Sequence, residues 1–198
     1  MADYGRAIGG RPVLVGHDAG AWVALAAAEP AHAAAVALVA PLPPGAPAVR
    51  AIAFELRVLW ALVAGLPVSP PDVATSRLWS EAEGGPAEPV ERDTDDPAAV
   101  RDVVWGRIMP SPATGVPSLL VTGERDRFLS VADAERLAAR IGAERIVLPD
   151  AAHWPLGPRF FQATAGAVHR WVVRQLGAPL LELYPEAMAA RDAEDDDP

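Results

Sequence analysis

A chain of 198 residues with an apolar share of 51% has the size and the oily content of one ordinary domain carrying an insertion, which excludes wholesale disorder. A formal charge of −9 argues against nucleic acid or an anionic membrane surface as a partner, since both call for basic patches. No cysteine is present, so the chain has neither a disulfide frame nor a thiolate metal site.

The first eleven residues lack a basic start followed by an apolar stretch, and no export signal is read there, so the chain is expected in the cytoplasm. Pro12-Val13-Leu14-Val15 predicts a buried strand. It runs into Gly16-His17-Asp18-Ala19-Gly20, a turn, and then into a helix over 21–28. An aspartate in such a turn often serves only to tolerate a left-handed backbone. Ala34–Val39 predicts a second buried strand, and prolines at 41, 43, 44 and 47 make a rigid exit loop and break the longest uncharged stretch too often for a membrane helix.

Residues 45–114 differ in composition and read as a helical insert. Ile52, Leu56, Leu59, Trp60 and Val63 form one apolar stripe, Glu81–Pro89 a flexible crossing, and Val100, Val103, Val104 and Ile108 a second stripe ending before Pro110. Trp60, Trp79 and Trp105 are candidates to line a pocket, with core packing the plainer role. Ser118–Thr122 then predicts a strand that delivers Asp126 just beyond its end. A helix follows, capped by Ser130, closed by Gly142 and striped by Val131, Ala134, Leu137, Ala138 and Ile141. Arg145–Leu148 is the next strand, and the loop after it carries His153 and Trp154. Phe161, Ala165, Val168, Trp171 and Val172 stripe a final helix; Leu180–Met188 follows, and residues 186–198 are an acidic tail expected to be disordered. Strands alternating with helices in this way predict an α/β fold with a parallel sheet. No acidic or cysteine partner stands at ligand spacing around His32 or His169, so no metal and no cofactor is expected, and both are read as surface residues.

Three segments, the glycine-flanked Asp18, the strand end at Asp126 and the loop at His153, together resemble the α/β-hydrolase superfamily, in the chain order nucleophile, acid, histidine. The long separation of the first two leaves room for a cap, and the short separation of the last two fits one helix and one strand. Gly16-His17-Asp18-Ala19-Gly20 is similar to the nucleophile elbow of the epoxide hydrolases and the haloalkane and haloacetate dehalogenases, which use aspartate. In such an elbow small residues two before and two after the reactive group avoid steric conflict in a sharp strand-to-helix turn. The resemblance implies a parallel-sheet core at 1–44 and 115–185, a helical cap at 45–114, and a shortened N-terminal side lacking the usual first strands.

It further implies the chemistry. Asp18 attacks carbon of an apolar epoxide or organohalide, His153 held by Asp126 activates the water that releases the ester, and the Ala19 N–H is an oxyanion donor. His17 and Trp154 are pocket residues, with a packing role preferred for His17. Departures are that the insert carries no tyrosine, that Ala19 stands where dehalogenases commonly have tryptophan, and that no His-Gly oxyanion loop occurs. The alternatives are a non-catalytic or partner-dependent remnant of this fold, or the C-terminal portion of a longer hydrolase. The resemblance also leaves the flank of the elbow strand bare, so association with a second copy or another chain along that edge is expected.

Overall fold

Uniformly apolar runs separated by helices have one stable arrangement, a parallel sheet covered on both faces. The computed structural model describes residues 10–45, 60, 64, 102–103, 105–107, 111–113 and 115–182. In chain order these form β1 (Val13–Asp18), α1 (Gly20–Ala28), β2 (Ala35–Pro41), β3 (Ser118–Gly123), α2 (Val131–Ile141), β4 (Glu144–Leu148) and α3 (Phe161–Glu182). The four strands lie in the order β1-β2-β3-β4, and every pairing is parallel.

The alternation of side chains sorts the sheet into two apolar layers. Val36, Leu38 and Leu120 face one way and pack with Trp22 and Leu25 of α1 and Leu137 and Ile141 of α2. Ala35, Ala37, Leu119 and Val121 face the other way, against Ala167 and Trp171 of α3. Every residue of β2 and β3 is buried. Among the described residues β1 is hydrogen-bonded on one side only, to β2, and Val15 on it is 55% exposed.

The helix ends follow local chemistry. Ser130 caps α2 by accepting a hydrogen bond from the Asp133 N–H, and Gly142 closes it in the left-handed region at φ 68°. Two expectations shift. Helical backbone at Asp102–Val103 ends at Gly106, well before Pro110. The Gly106 N–H bonds to the Val103 carbonyl, the Arg107 N–H to that of Asp102, and Gly106 itself has φ 70°, which is a Schellman stop. The stripe of α3 holds at Val168, Trp171 and Val172, which pack on the core, and shifts at its start, where Phe161 and Ala165 are exposed while Thr164 and Ala167 are buried. Thr164 can be buried because its hydroxyl donates to the carbonyls of Pro155 (2.6 Å) and Phe160 (3.0 Å). His32 and His169 are exposed as expected, and Trp22 and Trp171 are buried. The stripe at 52–63 apart from Trp60, the crossing at 81–89, Trp79 and the tail at 186–198 lie outside the described residues; Trp60 and Trp105 are 66% and 47% exposed. No described helix is long and apolar enough to cross a membrane.

Candidate active site

The strand-to-helix turn after β1 is built by one glycine rather than two. A Cβ on Gly16 would lie 2.4 Å from the Gly20 carbonyl oxygen and 2.6 Å from Ala21 Cα, distances no side chain tolerates. Gly20 is different: a Cβ there meets nothing within 4 Å. The symmetric requirement expected from sequence therefore holds on the strand side only, because the helix leaves the turn with Gly20 pointing into open space. At the tip, Asp18 has φ 53°, and the register of β1 against β2 slips between His17 and Asp18. A left-handed backbone at a non-glycine residue costs about 1–3 kcal/mol and persists only where its surroundings enforce it. Here the Gly16 contact and the Asp18 carbonyl, which accepts from the Leu42 N–H at 3.3 Å, enforce it.

Asp126 lies just past the C-terminal end of β3. One of its oxygens, Oδ1, accepts from the N–H groups of Phe128 (2.8 Å) and Leu129 (2.9 Å), and the other, Oδ2, lies 3.0 Å from His153 Nδ1. The carboxylate is fully engaged and buried. His153 is placed by the loop after β4, and that loop is pressed onto β3. The Arg125 N–H donates to the Ala151 carbonyl, the Glu124 N–H to that of Leu148, and the Glu124 carboxylate accepts from the Asp150 N–H. Gly123 makes this approach possible, since a Cβ on it would sit 2.2 Å from the Ala151 oxygen and 2.5 Å from that of Ala152. In the sequence Gly123 carries no mark of this role beyond its place between an apolar strand and an acid. Gly123→Ala is expected to push the histidine loop off β3 and cost roughly 1–3 kcal/mol of stability, read by thermal unfolding, while Gly20→Ala leaves the melting temperature unchanged or raised.

The far nitrogen of His153, Nε2, faces Asp18 Oδ1 at 3.5 Å. Structure thus brings together Asp18, Asp126 and His153, each at the C-terminal end of a strand of one parallel sheet, where such sheets place their ligands. Asp18 keeps 36% of its side chain exposed although Oδ1 is shielded, so its accessible surface lies on its other atoms. Burial alone would lower the pKa of His153; the charge and hydrogen bond of Asp126, then those of Asp18, override it and push the imidazole up to about 10. Burial would likewise raise that of Asp18, but the hydrogen bond and charge of His153 hold it below the ordinary carboxylate range, with the Ala19 N–H adding to the effect. Both shifts favour the charged pair, a protonated His153 beside an ionised Asp18.

His17 and Trp154 are both at the site. The His17 Nε2 is 3.3 Å from the His153 carbonyl oxygen, and its ring meets Trp154 edge-on at 4.9 Å. Phe128 packs on the His153 ring at 4.5 Å, an apolar wall that sequence reading missed. Ala19 is the N-cap residue of α1 and offers no capping side chain, and its own N–H interacts with the Asp18 carboxylate. Among the described residues no group of three histidine or acidic side chains could hold a metal ion. An open pocket of about 140 Å³ lies between Pro43, Pro44, Leu129 and the Arg136–Arg140 face of α2, and none of the three central residues lines it.

Solved structures share this fold. A thermophilic esterase from Thermogutta terrifontis matches at 21% identity with a TM-score of 0.54, over 85% of this chain and 67% of its own. The monoacylglycerol lipase of Paleococcus ferrophilus matches at 19% and 0.58, over 87% and 72%. An E-2-(acetamidomethylene)succinate hydrolase matches at 24% and 0.57, over 86% and 72%. No curated protein sequence matches the chain. Residues 1–168 match the sequence pattern of one family along their whole length, and on that match and the sheet described above the chain belongs to the alpha/beta hydrolase family.

Proposed function

We propose that this hydrolase uses Asp18 as a nucleophile toward saturated carbon, on a small apolar epoxide or organohalide. The observation that carries the reading is the residue at the elbow tip: a carboxylate, held ionised, with one oxygen against His153 and the rest of the group accessible. Attack by a carboxylate on an acyl carbon would only make a reactive anhydride, whereas attack on saturated carbon makes an ester that water can cleave. In the first step an Asp18 oxygen forms a bond to carbon, and the carbon–halogen or carbon–oxygen bond breaks with its electron pair leaving on halide or alkoxide. Alkylation cancels the charge of Asp18. One of the two carboxylates that hold the His153 proton is then gone, and the proton passes to the alkoxide or to solvent. In the second step His153 takes a proton from water, hydroxide adds to Cγ of Asp18, and the Ala19 N–H steadies the oxyanion; the bond from Cγ to the alkyl-bearing oxygen then breaks, and that oxygen receives the proton of the new hydroxyl, which frees the alcohol and leaves Asp18 a carboxylate beside protonated His153. Phe128 and Trp154 beside His153 fit an apolar substrate.

The test is a single turnover with enzyme in excess over a terminal epoxide or a primary bromoalkane in ¹⁸O-water. The first product should carry the enzyme's oxygen, and the Asp18 peptide should gain ¹⁸O. Product oxygen drawn wholly from solvent, with Asp18 unlabelled, would overturn the nucleophile.

A further inference from the structure

We infer that His17 is a positioning residue that ties the catalytic base to the strand of the nucleophile, an inference that rests on the roles of Asp18 and His153 proposed above. Successive residues of a strand point to opposite faces. The slip in register between His17 and Asp18, with the left-handed backbone of Asp18, breaks that alternation, and both side chains meet His153. Asp18 meets its ring through Oδ1 at 3.5 Å, and His17 meets its main chain through Nε2 at 3.3 Å from the carbonyl oxygen.

The chemistry of His17 suits a tether. Burial lowers its pKa below the usual histidine value. Asp18 opposes that shift and the positive His153, with its ring 6.0 Å away, adds to it. His17 is therefore neutral near pH 7. A carbonyl partner makes Nε2 the protonated nitrogen, so the Nε2–H donates to the His153 carbonyl. The edge contact with Trp154 holds the ring in place. Asp126 and the contacts at Gly123 fix the base relative to β3, but they do nothing to fix it relative to β1, where the nucleophile sits. His17 spans that gap, joining the residue beside the nucleophile to the base itself.

A packing role and a positioning role separate by substitution. His17→Phe keeps the ring volume and the contact with Trp154 but removes the donor; His17→Gln keeps a donor at about the same reach. Loss of one hydrogen bond in the site is expected to slow hydrolysis of the alkyl-enzyme roughly tenfold in His17→Phe, with the alkylation rate kept within about threefold. His17→Gln is expected to bring hydrolysis back to within about threefold of the parent. Equal hydrolysis rates in all three proteins, or an equal loss in both variants, would overturn the proposal. Nitrogen NMR of the His153 ring gives a second readout that needs no turnover: its titration should move in His17→Phe and return in His17→Gln. If the parent forms no alkyl-enzyme, the nucleophile reading fails while the NMR comparison still decides the tether, and an unmoved titration in His17→Phe would sink it.

Discussion

His153→Gln should turn the enzyme into a trap. In the proposed mechanism the first step consumes only the Asp18 carboxylate and the second needs a base, so an epoxide or bromoalkane should add one equivalent of mass to Asp18 and stay there. Removal of a general base costs on the order of 100-fold to 10,000-fold, enough for the ester to accumulate during a mass-spectrometric assay. Asp18→Asn should take up no mass, since a neutral amide is a poor nucleophile. Turnover at parental rates in both variants would remove Asp18 and His153 from the mechanism.

Asp126→Asn should be nearly as damaging although the side chain touches no substrate. The amide oxygen must keep the two backbone donors at Phe128 and Leu129, which turns the amide nitrogen toward His153 Nδ1. The imidazole then accepts at Nδ1 and carries its proton on Nε2, the nitrogen that has to take one from water. A reversed tautomer of this kind lowers turnover by on the order of 10⁴-fold. The same change removes the largest influence that raises His153, so its titration should fall from about 10 toward the ordinary histidine value. Stability moves with it. In the parent the contribution of the charged His153 is complete below pH 6.5 and is lost as pH rises through about 10; in Asp126→Asn most of that alkaline decline should vanish from denaturant melts taken across pH 7 to 11. A slope left unchanged by the substitution would show that Asp126 does not hold the proton.

Much of the architecture is written in local pattern. Apolar runs at Ala35–Val39 and Ser118–Val121 mark buried strands, the run at Val13–Val15 marks a strand that is only partly buried, with Val15 exposed, and Ser130 and Gly142 bound α2 through their own side-chain and backbone chemistry. Asp18, Asp126 and His153 are legible as polar residues placed just past strand ends. What escapes is long-range or polar. Gly123 matters because Ala151 and Ala152 come within contact of it, an approach that no spacing in the sequence announces. Gly16 and Gly20 look equivalent on paper, yet one meets backbone and the other meets nothing. Thr164 replaces Phe161 in the buried stripe because two carbonyls receive its hydroxyl, and hydropathy counts it as polar regardless.

Among the described residues β1 is paired with one neighbour and β3 with two, and the proposed triad divides along that line. Acid and base are clamped to β3, a strand with hydrogen-bonded neighbours on both sides, and their 3.0 Å contact has little freedom to vary. The nucleophile rides on a strand that, among the described residues, is supported on one side. The His17 link joins the same two parts, so the 3.5 Å separation of Asp18 and His153, from which the proposed mechanism takes a charge partner at rest and a place for water after alkylation, is set by side-chain contacts rather than by the sheet. On the proposed roles, a side-chain joint between nucleophile and base lets the site admit water there while the contact of His153 with Asp126 stays fixed.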